Sequence, residues 1–294
     1  MTTSATIPSA PARAPGILTR LGTRRMVLLL IAVAGLWSAV ALGLGPRGLV
    51  PDAGGLKLAG KFLAAALTPA LTYEAAFVPE GTAPLPQKVL HAAATTVVFA
   101  AAATSLSLGV GGLLAFLASR AWWSDDLAGG RAVGGVVYGL TRGTIALSRS
   151  IHELLWAVLF LSAMGLTPLA AVVAIAIPYS GVFAKVFSEM LDEAPRDTAA
   201  ALRDAGASPL RAFLFGLVPR ALPDMTGYAF YRFECALRSA AVLGFFGIPT
   251  LGFYIHASFA NAHYHEVWSY LYAMFLLVVT IDWWSGAVRR RMLA

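Results

Sequence analysis

Three charged side chains interrupt an apolar run in the last third of the chain: Arg232, Glu234 and Arg238. An unpaired charge inside a membrane-spanning helix costs about 2.5–3.5 kcal/mol on insertion scales, so each of these residues needs a partner. Glu234 and Arg238 are spaced to meet on one helical face, which predicts a structural ion pair. Alternatively, Arg232 or Arg238 faces a translocation path and binds an oxyanion, because guanidinium matches the geometry of phosphate oxygens.

The histidines and the cysteine form weaker patterns. His256, His263 and His265 lie near Glu266, a grouping that can bind zinc but is more often found as ordinary loop histidines. The single Cys235 excludes an intramolecular disulfide and any cysteine-rich metal site. We therefore predict no metal site.

One sequence has the spacing of a phosphate-binding loop, G-x-x-x-x-G-K, at Gly55, Gly60 and Lys61. Phe62 stands where a serine or threonine must bind magnesium, and no strand is predicted before the motif. We therefore predict no nucleotide or other cofactor on this chain.

The composition is that of a membrane protein. Of the 294 residues, 58% are hydrophobic and 13% are charged, whereas soluble globular proteins carry about 25% charged residues. The net charge of +7 does not indicate nucleic-acid binding, because the basic residues lie at the ends of apolar runs rather than on one face.

Six apolar runs predict a polytopic, all-α membrane protein. The predicted spans are residues 26–45, 95–117, 151–166, 168–186, 223–246 and 267–288. Gly135, Gly139 and Gly143 recur at four-residue spacing before the third span, which predicts a small-residue face where another helix approaches closely. Ala39-Val40-Ala41 resembles a signal-peptidase site, so a cleaved signal peptide is an alternative to a retained first helix.

The distribution of arginine and lysine orients these spans. Both tails and the loops 118–131 and 187–222 carry basic residues, whereas 165–169 and 247–265 carry none. The positive-inside rule therefore predicts that both termini are cytoplasmic. The predicted segments are a disordered basic N-terminus at 1–25, a first transmembrane helix at 26–45, an extracytoplasmic segment at 46–94 and a membrane core at 95–291.

The 187–222 loop has helix signals of its own. Pro195 suits the first position of a helix, and Gly206 suits the left-handed residue that ends one. Ser208 and Pro209 then have the pattern of an N-cap and first turn of a second helix, before Pro219. The loop is therefore predicted to form a short helix, a glycine turn and another helix.

This loop resembles the coupling motif of ABC importer permeases. The resemblance rests on small and apolar residues at fixed spacing: Ala200, Ala201, Leu202, Gly206, Ala207, Ser208 and Pro219. It implies the type I ABC importer permease fold and a short helix that docks on a cytoplasmic ATPase. The family usually has glutamate at the position of Ala200, so one polar contact with the ATPase is missing here.

A narrower resemblance points to phosphonate and phosphite permeases. It rests on the stretch 148–157, which contains Glu153 and Trp156, and on Tyr231-Arg232-Phe233-Glu234 with Arg238-Ser239-Ala240. The resemblance implies a substrate path that includes Glu153, Trp156, Arg232, Glu234 and Arg238. Pro249 departs from the glycine-rich turn usual in that subfamily, which leaves room for a different substrate.

Together these observations predict the membrane permease subunit of an ABC importer for phosphonate or a related phosphorus oxyanion, in the inner membrane of a bacterium. The alternatives are a permease for another small solute, an integral membrane enzyme, or a scaffold without transport. An enzyme would need converging acidic and histidine clusters, and a scaffold would not need charges inside a span. The implied partners are a cytoplasmic ABC ATPase dimer, an extracytoplasmic substrate-binding protein, an identical or homologous second permease, and membrane lipid, but no nucleic acid.

Overall fold

The computed structural model describes residues 23–45, 52–123 and 131–293, and every regular element within these ranges is helical. The helices are α1 Thr23–Ala41, α2 Ala53–Ala65, α3 Leu85–Ala118, α4 Arg120–Trp123, α5 Arg131–Ser150, α6 Glu153–Met164, α7 Pro168–Glu193, α8 Asp197–Asp204, α9 Pro209–Ala212, α10 Val218–Val242, α11 Leu251–Ala260 and α12 Tyr264–Leu293. A π-helical turn, Phe213–Leu217, joins α9 to α10, and a 3-10 turn, Leu243–Phe246, follows α10. Most of the predicted N-terminal segment 1–25 lies outside the described residues.

The chain divides into two compact units, residues 1–61 and residues 62–294. The first unit contains α1, an apolar helix of 19 residues that matches the predicted first span in position, and no side chain in Arg24–Ala41 is buried. The second unit contains α3 to α12 and the packed core.

Four described helices are long and apolar enough to cross a membrane, and the number rises to six if each of two bent helix pairs is one span. This agrees with the predicted six spans. The predicted start of the second span at residue 95 is wrong, because α3 begins at Leu85. Pro84 and Pro86 are compatible with a helix start, and Leu85 is 1% exposed, so packing extends the helix toward its N-terminus.

The predicted third span, 151–166, is also wrong as a complete span. Its helix, α6, has 12 residues, a length of about 18 Å, whereas the hydrocarbon core is about 30 Å thick. Helix α5 precedes it, and the two helices meet at a bend of 88° around Ile151 and His152. The predicted third span therefore corresponds to part of a bent helix pair, α5 and α6, rather than to one straight helix.

The core is built on close packing of α3 against α7. A Cβ atom on Gly111 of α3 would lie 2.6 Å from the Phe183 Cβ and 2.8 Å from the Ser180 carbonyl oxygen, so only glycine allows this approach. The predicted glycine face of α5 is different, because a Cβ on Gly135 or Gly139 would meet nothing within 4 Å. Among the described residues, neither these two glycines nor Gly143 brings another helix into close contact.

Candidate functional site

A chain of three polar side chains crosses the core where α6, α7 and α10 meet. The Ser239 hydroxyl of α10 donates to Glu153 Oε1 of α6 over 2.7 Å. It also lies 2.9 Å from the Tyr179 hydroxyl of α7. Since the serine proton is engaged by the carboxylate, the tyrosine hydroxyl is the donor of the second bond. The chain therefore runs in one direction, from Tyr179 through Ser239 to the Glu153 carboxylate.

Arg232 contacts the ring of the same tyrosine rather than its hydroxyl group. Its guanidinium carbon is 4.0 Å from the centre of the Tyr179 ring. Its Nε is buried and has no hydrogen-bond partner among the described residues. The indole Nε1 of Trp156, one turn into α6, is buried and unpartnered in the same sense. Trp156 packs against the core cluster that contains Tyr179 and stacks on Phe160, with ring centres 5.9 Å apart.

These unpartnered donors are unusual, because leaving a buried donor unsatisfied costs about 1–3 kcal/mol, and more for a charged group. The cluster formed by Glu153, Trp156, Tyr179, Arg232 and Ser239 therefore contains two N–H donors without an acceptor among the described residues.

The predicted ion pair between Glu234 and Arg238 is not present among the described residues. Glu234 Oε1 instead accepts a hydrogen bond from the buried Ser285 hydroxyl of α12, at 2.8 Å. Arg238 is exposed, and its Nη2 lies 3.3 Å from Cys235 Sγ. Glu234 and Arg238 lie one turn apart on α10 and could pair. The packing of α10 against α12 instead gives the Glu234 carboxylate a different partner.

Of the predicted path residues, the structure thus brings Glu153, Trp156 and Arg232 around one cluster and separates Glu234 and Arg238 from it. The sequence did not lead to Tyr179, and Ser239 was named only within the stretch that carries the subfamily resemblance, not as a path residue. Both are hydroxyl residues inside apolar runs, which is the signal that could have identified them. Pro178, directly before Tyr179 inside α7, is a second signal, because proline removes a helical hydrogen bond.

The 187–222 segment forms the predicted helix, turn and helix. Gly206 has φ +87°, the left-handed conformation predicted for it. The Gly206 N–H donates to the Arg203 carbonyl and the Ala207 N–H to the Leu202 carbonyl, both at 2.9 Å, which is the bond pattern of a Schellman C-cap. Ser208 caps α9, accepting from the Arg211 N–H at 3.5 Å. The first helix, α8, begins at Asp197 rather than at Pro195, because Arg196 is its N-cap.

This segment is fixed to the membrane core by a small apolar cluster. Ala199 of α8 is 2% exposed and packs with Phe213 and Leu217 of the π-helical turn. A Cβ on Gly216 would lie 2.6 Å from the Ala199 Cα, so the π turn and α8 touch backbone to backbone. The Arg220 guanidinium adds a hydrogen bond of 3.0 Å to the Thr198 hydroxyl.

The residues of the predicted coupling motif lie on the outside of this anchored segment. Ala200, Ala201, Gly206, Ser208 and Pro219 are exposed, and Leu202 and Ala207 are half-buried. Further apolar side chains extend the exposed surface: Leu210 is 49% and Leu214 44% exposed. The segment therefore presents a small, mostly apolar surface with no partner within the described chain.

The histidines lie at the start of α12 and on α11, where they take separate partners. His256 packs against Phe245, and His265 Nδ1 lies 2.7 Å from the Thr68 carbonyl oxygen. His263 Nδ1 is 3.7 Å from Glu266 Oε1. No group of three potential metal ligands exists among the described residues.

Glu266 has a structural position in this region. It is 5% exposed, and its Oε1 accepts the Glu74 N–H at 2.7 Å. Its Oε2 accepts the Ser258 hydroxyl at 3.0 Å. The carboxylate thus links the segment before α3 to α11 and α12.

Residues 127–294 match the family model of the binding-protein-dependent transport system inner membrane component. The chain belongs to this family. It is 28% identical over 195 residues to the phosphite transport system permease protein PtxC of Stutzerimonas stutzeri, a match that covers 66% of this chain and 68% of that one. It is 31% identical over 156 residues to the putative phosphite transport system permease protein HtxE of the same organism, covering 53% of this chain and 60% of that one.

A third relative is the phosphate-import permease protein PhnE of Mycolicibacterium smegmatis, 27% identical over 156 residues. That match covers 53% of this chain and 29% of the relative. The permease spans less than two thirds of the length of two of these three relatives.

Solved structures show the same fold. An inward-facing MetNI methionine ABC transporter chain superposes with a TM-score of 0.61 at 18% identity, covering 71% of this permease and 98% of that chain. A chain of an amino acid ABC transporter superposes with a TM-score of 0.58 at 16% identity, covering 70% and 94%. The predicted all-α permease fold is thereby confirmed. The family match confirms the assignment to a transport subunit. Family membership also implies an ATPase and a binding protein as partners.

Proposed function

We propose that this permease imports a phosphorus oxyanion, phosphite or a phosphonate, as the membrane subunit of an ABC importer. The substrate assignment is supported by the names of the similar permeases, which are phosphite, phosphonate and phosphate transport proteins. The single observation in the molecule that favours it is the Arg232 guanidinium. This charge lies in a membrane helix without a hydrogen-bond partner among the described residues. An oxyanion is the ligand that such a group binds best.

The exposed face of α8 and the Gly206 turn is the proposed contact with an ATPase. Its small residues permit close approach, and its Schellman cap and π-turn anchor hold it rigidly to α10. Movement of an ATPase dimer would then be transmitted through the segment to the spans as packed bodies, which is how rigid-body switching works.

The orientation of the chain in the membrane decides where the other subunits bind. Both termini and the 187–222 segment face the cytoplasm, as the distribution of basic residues indicates. A substrate-binding protein docks on the opposite side, and a second permease, identical or homologous, completes the translocation path. The chain itself binds neither ATP nor another cofactor.

A growth experiment tests this function. The gene is deleted in a strain without another phosphorus-oxyanion importer, and growth is measured with phosphite, methylphosphonate or phosphate as the only phosphorus source. We expect loss of growth on phosphite or methylphosphonate, restored by the wild-type gene. Unchanged growth of the deletion strain on all three sources would refute the substrate class.

A pair of glycine variants tests the ATPase contact in the same strain. Gly206→Pro cannot adopt φ +87° and removes the N–H that bonds to Arg203, so it should fail to restore growth. Gly60→Ala, at a helical glycine with nothing within 4 Å of the added Cβ, should restore growth fully. Full growth with Gly206→Pro would contradict the proposed role of this turn.

A further inference from the structure

We propose that the transported oxyanion binds where α6, α7 and α10 meet, and that Arg232 Nε and Trp156 Nε1 are hydrogen-bond donors to the substrate. This inference rests on the proposed phosphorus-oxyanion import and assigns it to particular atoms. The two donors are the N–H groups in this part of the core that are buried and unpartnered among the described residues.

The arrangement of acceptors explains why the chain does not satisfy these donors itself. Glu153 is the carboxylate of the cluster, and the Ser239 hydroxyl already donates to it at 2.7 Å. Glu234 lies on α10, two residues after Arg232, and its carboxylate accepts a hydrogen bond from Ser285 at 2.8 Å. The two carboxylates therefore accept hydrogen bonds from hydroxyl groups, and neither accepts one from Arg232 Nε or Trp156 Nε1.

The Tyr179 ring determines where this charge lies. A guanidinium 4.0 Å from a ring centre is held by cation–π attraction, which strengthens when water is excluded. The ring in turn is fixed by the hydrogen bond of its hydroxyl to Ser239, at 2.9 Å. Tyr179 and Ser239 are thus positioning residues, because they orient Arg232 without consuming its N–H donors.

The broken helix supplies an independent reason for an anion at this point. Helix α6 begins at Glu153, directly after the 88° bend, and Trp156 lies in its first turn. Helix N-termini carry a partial positive charge, and interrupted membrane helices use them to bind anionic groups of transported substrates.

The test uses the whole transporter, with its own ATPase and binding protein, reconstituted in liposomes. Uptake of inorganic phosphite and of methylphosphonate is measured at saturating binding protein over a range of substrate concentrations. Trp156→Phe removes the N–H and keeps the ring that stacks on Phe160, and Trp283→Phe is the matched control because Trp283 is 71% exposed. Arg232→Lys keeps the charge but loses the planar donor set, and Arg238→Lys is its matched comparison.

We expect Trp156→Phe to raise the KM for uptake about tenfold or more, the effect of losing one hydrogen bond to a charged group. Arg232→Lys should lower uptake by at least the same factor, with Trp283→Phe and Arg238→Lys within about twofold of wild type. The yield of assembled transporter should stay at the wild-type level in Trp156→Phe, and a raised KM with an unchanged maximal uptake rate separates substrate binding from a structural role.

Two results would overturn the site while leaving the proposed function intact. One is wild-type kinetics in Trp156→Phe, which decides the matter even if Arg232→Lys fails to assemble. The other is loss of uptake in Arg238→Lys with normal uptake in Arg232→Lys. If the wild-type transporter takes up neither phosphite nor methylphosphonate, the proposed function and the site fail together.

Discussion

Arg232 and Tyr179 form a cation–π pair between α10 and α7, with the guanidinium carbon 4.0 Å from the ring centre. The same tyrosine donates its hydroxyl proton to Ser239. Its ring therefore contacts the Arg232 guanidinium, and its hydroxyl group belongs to the hydrogen-bond chain that ends at Glu153. These two functions of Tyr179 can be separated by substitution.

Tyr179→Phe keeps the ring and removes the hydroxyl, whereas Tyr179→Leu removes both. We expect Tyr179→Phe to transport phosphite within about threefold of wild type, because Ser239 still donates to Glu153. Tyr179→Leu should lose at least tenfold and unfold at a lower temperature, because an unpaired charge in a span costs about 2.5–3.5 kcal/mol. Uptake in liposomes and thermal unfolding in detergent measure the two effects, and equal behaviour of the variants would contradict a role for the ring.

Gly216→Ala should weaken the attachment of the coupling segment to the membrane core. The added Cβ would lie 2.6 Å from the Ala199 Cα, so α8 must shift away from the π turn. We expect less ATPase to co-purify with the variant, and substrate-stimulated ATP hydrolysis to fall severalfold. Gly60→Ala, with no atom within 4 Å of its Cβ, is the control. Normal co-purification from Gly216→Ala would show that α8 tolerates displacement.

Gly111→Ala and Gly109→Ala lie two residues apart on α3 and should behave in opposite ways. The Gly111 Cβ would lie 2.6 Å from the Phe183 Cβ, so the α3–α7 contact must open at a cost of about 1–3 kcal/mol. The Gly109 Cβ would meet nothing within 4 Å, and alanine favours the helix, so stability should hold or rise. Thermal unfolding in detergent measures both, and an equal midpoint for the two variants would argue against the packing described here.

Glu266→Ala should release the segment before α3 from α11 and α12. The buried carboxylate accepts from the Glu74 N–H at 2.7 Å and from the Ser258 hydroxyl at 3.0 Å, and alanine leaves both donors unpaired. We expect a loss of about 2–4 kcal/mol in stability and faster proteolysis of residues 66–84. The exposed Glu80→Ala should change neither. Wild-type protease resistance of Glu266→Ala would show that other contacts hold this segment.

The local features of the fold were predictable because they depend on neighbouring residues. The left-handed turn at Gly206 and the Ser208 cap were predicted correctly, since both arise within a few residues of chain. The start of α3 was predicted too late, because its first turns are stabilised by burial of Leu85 rather than by a continuous apolar run. The break at Ile151 and His152 was missed because hydrophobicity does not report the direction of a helix.

The candidate site was predictable only in part. Residue types and the resemblance to phosphonate and phosphite permeases indicated Arg232, Glu153 and Trp156, which the fold brings around one cluster. The predicted pairing of Glu234 with Arg238 was wrong, because the Glu234 carboxylate accepts a hydrogen bond from Ser285 of α12 instead. Helical spacing states which residues can meet on one helix, but it gives no information about neighbouring helices.

By itself, the sequence determined the membrane protein class, the helical class, the approximate spans and the helix, turn and helix of the 187–222 segment, because apolar length, basic flanks and turn residues act locally. Only the tertiary structure decided that Tyr179 and Ser239 join the site, that Glu234 and Arg238 do not, and that the third span is broken. The physical reason is that these outcomes depend on which helices pack together and on which acceptors are already engaged, and neither is determined by the spacing along one helix.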